Sequence, residues 1–149
     1  MARPPTGPLV VSFDASLRSV NDDTTPTSAA VGCVVTDGSE TVATRSIAVD
    51  TFVSSSTLEL RALVEAARTV STIGTAVGAV HVNGDADAAV HAADPDHPST
   101  PSTRLARRRV RTIRSCFAAI PVVTYRVVPR RENVRAHELA KAGHSRHRC

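Results

Sequence analysis

Three strand-length apolar runs open the chain, and from residue 58 onward helix-spaced and strand-length runs alternate. Leu9 to Phe13 is a short apolar run ending at Asp14, which reads as a buried strand. Ala29 to Thr36 gives a second strand, Asp37-Gly38 a hairpin signal, and Thr41 to Val49 a third strand antiparallel to the second. Residues 18–28 between the first two runs are turn-rich. Leu60, Leu63, Val64, Ala67 and Val70 then share one face of a helix over Leu58 to about Val70, with Ser54 to Thr57 suited to capping it. Gly74 and Gly78 bracket its exit, and Ala79 to Val82 is a short strand ending at Asn83-Gly84-Asp85. A short helix follows over 86–93, then a Pro-, Ser- and Thr-rich loop over 94–103. Ala106, Val110, Ile113, Phe117 and Ile120 line one face of a helix over about 103–119, which Pro121 stops. Val122 to Val128 is the last strand, and a final helix capped by Asn133 runs to about Ala142, with Gly143 ending it. The order β-β-β-α-β-α-α-β-α predicts an α/β fold, a five-stranded mixed sheet with three antiparallel strands, then parallel ones, and helices on both faces.

A chain of 149 residues suits one domain. Its expected bounds are 9–143, after an N-terminal arm over 1–8 and before a basic tail over 144–149. With three Phe, one Tyr and no Trp, the core must come from Val, Ala, Leu and Ile, and an aromatic platform for stacking bases is excluded. Cys33, Cys116 and Cys149 are odd in number and widely spaced, so they form no disulfide framework. Cys33 and Cys116 read as reduced packing residues. No stretch is long and apolar enough to span a membrane, and Met-Ala-Arg-Pro-Pro lacks the apolar core of a signal peptide, so the expectation is a cytoplasmic monomer.

The net charge of +4 hides a division of the chain. Residues 104–149 carry thirteen basic residues against two acids, and residues 1–103 carry five against twelve. Such asymmetry suggests a nucleic-acid partner. Almost every basic residue is Arg, which pairs bidentately with phosphate. Arg104, Arg107, Arg108, Arg111 and Arg114 share the polar side of their helix and are candidates for gripping phosphates independently of sequence. A solvated Arg-rich surface accounts for the same composition.

Three acids stand where carboxylates converge. Asp14 ends the first strand, Asp85 ends the fourth after a glycine that lets backbone come close, and Glu59 flanks the buried face of its helix. Sites in open α/β sheets form beyond the carboxyl ends of strands. Clustered carboxylates repel unless a cation is bound, and an all-oxygen set suits Mg²⁺ or Mn²⁺. Two such ions about 4 Å apart serve phosphodiester hydrolysis. Taken singly, each acid also reads as a turn, cap or solvated residue.

The motifs resemble type 1 ribonuclease H, in particular its compact archaeal and plant-like branch. They are VSFDAS, the hairpin AAVGCVVTDG, the helix start TLELRALVEAA, the strand end VHVNGDADAAV and the segment VVPRRENVRAHELAKAG, in the family's order over about residues 9–143. The resemblance implies a ribonuclease H-like fold, two Mg²⁺ or Mn²⁺ ions on Asp14, Glu59 and Asp85, and hydrolysis of the RNA strand of an RNA–DNA hybrid. The family's fourth acid falls on His137, which the resemblance makes the remaining catalytic and metal-binding position, favouring Mn²⁺ because imidazole is softer than carboxylate. Glu138 points about 100° away on a helix and is a poor substitute. The histidine that bacterial relatives carry before the last helix is absent from PRREN, and His144 and His147 read as tail residues. Backbone groups around Ala15, Ser16 and Asn83 to Asp85 are candidates for recognising the 2′-hydroxyls that distinguish RNA from DNA. Ser54 to Ser56 cap their helix or bind phosphate there. The His137 replacement also motivates a catalytically weak or silent nucleic-acid-binding module, and a DNA junction is a third possible substrate.

Overall fold

The computed structural model describes residues 8–19, 26–49, 55–73, 77–97 and 101–144. Residues 1–7 of the N-terminal arm, Ser54, Gly74, His147 and Cys149 lie outside the described residues, as do the side chains of Ser55 and Ser56. Five strands, β1 Leu9–Ser19, β2 Pro26–Asp37, β3 Glu40–Val49, β4 Ala79–Gly84 and β5 Val122–Val127, form one sheet in the order β3-β2-β1-β4-β5. Four helices, α1 Ser55–Thr72, α2 Asp87–Ala93, α3 Arg104–Cys116 and α4 Val134–Ala142, complete the fold. β1, β2 and β3 pair antiparallel, and β4 and β5 extend the sheet in parallel. The predicted order and mixed sheet therefore hold.

The apolar patterns act as expected, with instructive exceptions. The β2–β3 turn is Gly38-Ser39, and Gly38 takes φ +61°, which glycine adopts without strain. All five residues assigned to the apolar face of α1 are buried. Leu58, Ala62 and Ala66 are fully buried too, because α1 packs on the sheet with one side and against α3 with another. The aromatics contribute more than their number suggested. Phe13 is among the largest fully buried side chains, and Phe117 is 4% exposed. Cys33 and Cys116 are free thiols, as expected.

Alternation along β2 sends neighbouring residues to opposite faces of the sheet. Cys33 contacts Thr69 on α1, whereas a Cβ at Gly32 would meet the backbone of α4. Helices thus cover both faces, with α1 on one and α4 on the other. None of the described helices is long and apolar enough to cross a membrane.

Several boundaries differ from the sequence reading. β1 does not end at Asp14 but runs five residues further, and β2 begins at Pro26, inside the stretch read as turns. Asp14 nonetheless marks a structural boundary. The parallel pairing of β1 with β4 stops at Phe13↔Gly84, so Asp14 is the first residue past its parallel neighbour. Asn133 precedes α4 but does not cap it through its side chain. Its amide donates instead to the Phe13 carbonyl at 2.9 Å, tying the start of α4 to the residue before Asp14. Gly143 ends α4 at φ −61°, so its role is close packing rather than a left-handed turn.

Candidate active site

The site forms where three elements meet. β1 carries Asp14 to the point where β4 leaves it. β4 ends at Gly84, and a Cβ there would lie 2.5 Å from the Phe13 ring, so glycine lets that ring press against the strand end before Asp85. The Gly84 carbonyl accepts from Val128 N–H at 2.9 Å, which continues the β4–β5 pairing to the same point. α1 brings Glu59 in its first turns, and that end of α1 is held by Arg109 of α3, which donates to the Thr57 carbonyl.

Oxygens of Asp14, Glu59 and Asp85 all lie within 4.8 Å of one another, the one such group among the described residues. Asp14 is 1% exposed. Burial pushes its carboxyl up from the usual range, the hydrogen bond from His137 opposes this, and Asp85 adds to it. Glu59 is pushed up to about 8, first by burial and then by the charges of Asp14 and Asp85. Its Oε1 is buried with no hydrogen-bond partner. A buried acceptor without a partner, facing two other carboxylates, is an arrangement that a bound cation would satisfy. The all-oxygen donor set fits a hard divalent ion such as Mg²⁺ or Mn²⁺.

His137 projects from α4 and its Nδ1 lies 2.8 Å from Asp14 Oδ2. It stands against the acidic cluster rather than inside it. Glu138 is exposed, as its helical offset from His137 predicts. A cleft of about 350 Å³ opens over the acids, lined by Asp14, Ala15, Leu17, Leu58, Glu59, Ala86, Asp87, Ala88 and Arg130.

Three residues escaped the sequence reading. Arg130 Nε sits 3.4 Å from Asp85 Oδ2, so the PRREN link presents an arginine to the site where a histidine was missed. Asp87 lines the cleft as the first residue of α2, and only its spacing from Asp85 hinted at it. His144 was assigned to a loose tail. It is 6% exposed and hydrogen-bonded to Ser16 and Ser28, so it packs against the sheet. Ser16 was a candidate for contacting nucleic acid, and its hydroxyl faces His144 at 2.9 Å.

The arginines of α3 divide by exposure. Arg104, Arg107, Arg108, Arg111 and Arg114 are exposed, as predicted. Arg107 also donates to the Pro101 and Ser102 carbonyls, and Arg114 to that of Ala93. Arg109 is half-buried, with a guanidinium pKa lowered by burial and by Arg61.

Residues 12–143 match the model of a family described as reverse transcriptase-like. No curated protein matches the chain. Among solved structures, ribonuclease H1 from the halophilic archaeon Halobacterium salinarum is similar with a TM-score of 0.77 and 22% identity, covering 92% of this chain and 97% of that one. The N-terminal ribonuclease H domain of a Mycobacterium tuberculosis protein gives 0.79 at 19% identity, over 94% and 95% of the two chains. LC11 ribonuclease H1, solved in complex with an RNA/DNA hybrid, gives 0.75 at 20% identity, over 93% and 97%.

Proposed function

Because this chain belongs to the reverse transcriptase-like family and has the ribonuclease H fold, we propose that it is a metal-dependent endoribonuclease cutting the RNA strand of RNA–DNA hybrids. One observation carries the proposal. The site gathers the oxygens of Asp14, Glu59 and Asp85 within 4.8 Å, and Glu59 Oε1 is left buried and unpartnered.

Asp14, Glu59 and Asp85 would hold the metal, with His137 as the remaining ligand on the Asp14 side. Two divalent ions, when bound, supply positive charge to the scissile phosphate and to the leaving oxygen. The residues of the chain do the rest. Burial of Asp14 and Glu59 keeps water from screening their charges. His137, bonded through Nδ1, holds Asp14 in one orientation and leaves Nε2 as its other nitrogen. Arg130 beside Asp85 puts a cation at the cleft rim, where the strand to be cut would run. The exposed face of α3 supplies further cations for phosphates, at a distance from the chemistry. Acting as a monomer suffices, since one chain supplies every residue named here.

The test is cleavage of an end-labelled hybrid with Mg²⁺ or Mn²⁺ at low salt. Internal cuts in the RNA strand, with faster reaction in Mn²⁺, are expected. No cleavage with either ion at several enzyme concentrations removes the proposal. It would favour instead a silent nucleic-acid-binding module, the reading that His137 in place of an acid motivates. Equal cleavage of hybrid, double-stranded RNA and DNA would move the substrate elsewhere, a DNA junction included.

A further inference from the structure

Beyond Phe13, β1 has a neighbour on one side only. Its pairing with β4 stops at Phe13↔Gly84, while its pairing with β2 continues to Ser19↔Pro26. From Asp14 to Leu17, β1 is therefore the edge of a three-stranded antiparallel sheet with β2 and β3. Ala15 and Leu17 on this edge form part of the cleft wall.

The end of α4 holds it. A Cβ at Gly143 would lie 2.7 Å from Ala30 Cβ and 3.1 Å from the Ile47 carbonyl oxygen, so glycine lets the helix end settle onto β2 and β3. That contact delivers the imidazole of His144 between two serines. Nε2 lies 2.9 Å from Ser16 Oγ, and Nδ1 lies 2.5 Å from Ser28 Oγ. Ser16 stands opposite Ala30 and Ser28 opposite Arg18, so one ring spans both strands on the diagonal. His137 and His144 are seven residues apart, two helical turns, and contact Asp14 and Ser16, two residues apart on one face of β1.

A neutral imidazole has one donor nitrogen and one acceptor. Burial, and then Arg18, push the His144 pKa down, which keeps the ring neutral. Two arrangements satisfy both serines. If Nδ1 accepts from the Ser28 hydroxyl, Nε2–H donates to Ser16 Oγ, and the hydroxyl hydrogen of Ser16 is left over. In the reverse arrangement Ser16 spends its hydrogen on the ring.

Resting on the hybrid-nuclease reading, we propose that His144 is a positioning residue for substrate binding: as the Nε2–H tautomer it bridges β1 and β2 and leaves the Ser16 hydroxyl free to donate to a backbone phosphate oxygen. His144 touches no reacting atom and acts through Ser16.

The experiment compares wild type with His144→Ala, His144→Gln, Ser16→Ala and the Ser16→Ala/His144→Ala double variant in the full chain. The readouts are KM and kcat on a labelled hybrid, hybrid affinity without metal, and the imidazole ¹⁵N shifts of His144. His144→Ala and Ser16→Ala should each raise KM about tenfold, the loss of one charge-assisted hydrogen bond, with kcat within about twofold. The double variant should be no worse than Ser16→Ala alone, and His144→Gln, which keeps a donor and an acceptor, should recover most of the loss. The ¹⁵N shifts should show protonated Nε2. A fall in kcat at constant KM, multiplying effects in the double variant, or a protonated Nδ1 overturns the proposal. Should His144→Ala fail to fold, Ser16→Ala, His144→Gln and the ¹⁵N shifts still decide it. A wild-type chain that neither binds nor cuts the hybrid removes the nuclease reading and this inference with it. A wild-type chain that cuts, with His144→Ala unchanged, removes only this inference.

Discussion

In Gly32→Ala, the new methyl group would sit 2.4 Å from Ala140 N, 2.7 Å from Leu139 C and 2.8 Å from the Ala136 carbonyl oxygen. All three atoms belong to the α4 backbone and cannot rotate away. Reaching an ordinary contact of 3.4 Å requires α4 to lift from β2 by about 1 Å, the difference between that distance and the nearest approach. Forcing one methyl group into such a contact costs typically about 1–3 kcal/mol, and an obstacle made of backbone puts this case at the upper end. For a domain of this size that corresponds to a fall in Tm of roughly 6–12 °C. The same displacement would stretch the 2.8 Å contact between His137 and Asp14 beyond hydrogen-bonding range. A misplacement of that size costs up to about 10²-fold in rate. Thermal unfolding followed by circular dichroism and Mn²⁺-supported hybrid cleavage read the two effects. Gly78→Ala is the control, because a Cβ there meets nothing within 4 Å. A Gly32→Ala variant melting within 2 °C of wild type (on the order of the shift for under 1 kcal/mol) and cleaving normally would refute the packing argument and the link from α4 to the site.

The remaining tests address charge. Asp85→Asn should abolish hybrid cleavage yet raise the Tm of the metal-free protein, since Asp85 is one source of the upward pressure on Asp14 and Glu59; retained activity would refute its role as a ligand. His137→Asp should raise the ratio of Mg²⁺- to Mn²⁺-supported rate, and an unchanged ratio would mean that His137 binds no metal. Neutralising Arg107, Arg108 and Arg111 together should flatten the log–log salt dependence of hybrid binding by up to about 2.7 in slope, and an unchanged slope would place the substrate on another face. Without metal, Tm should fall as pH rises between the ordinary Glu value of 4.5 and about 8. In that window the folded chain keeps on Glu59 a proton that the unfolded chain has released, so each step up in pH favours unfolding. Mn²⁺ added at pH 8 should restore the loss, and a Tm rising with pH in chelator would contradict the buried acidic cluster.

Element order was legible because hydrophobic period reports local structure, and each apolar face assigned to α1 and α3 is turned inward. The three acids were legible because their motifs keep family order. What was not legible depends on packing across long sequence separations. Asn133 looked like a cap because caps are local, but its amide is used by Phe13, 120 residues away in sequence. Gly143 looked like a left-handed terminator because that is the common use of glycine at a helix end, but here the missing Cβ makes room for Ala30 and Ile47. The length of β1 was underestimated because Asp14 interrupts an apolar run. Its pairing is decided by β2, which a single-strand pattern does not contain. His144 looked like tail because four polar or basic residues and a terminal cysteine follow it, and two serines more than a hundred residues upstream give no signal.

The same distinction bears on why the site exists at all. A chain shaped only by stability would not hold three carboxylates within 4.8 Å and leave Glu59 Oε1 buried without a partner. Burying an unsatisfied polar oxygen costs on the order of 1–3 kcal/mol, and the repulsion adds to it. The surroundings do not relieve the strain with a buried cation. Arg130, the one arginine with an ion pair to these acids among the described residues, is 70% exposed and 3.4 Å from Asp85, so it screens weakly. On the proposed reading, relief comes from a divalent ion, which the oxygen-only donor set suits. His137 fits this arrangement better than a fourth acid would in the metal-free state. It donates to Asp14, or accepts if that carboxyl is protonated, without adding a negative charge to a cluster already under repulsion. On the proposed reading, in which His137 stands where the resemblance places a fourth acid, the imidazole lowers the cost of folding without metal, and the expected consequence is a weaker hold on a second ion.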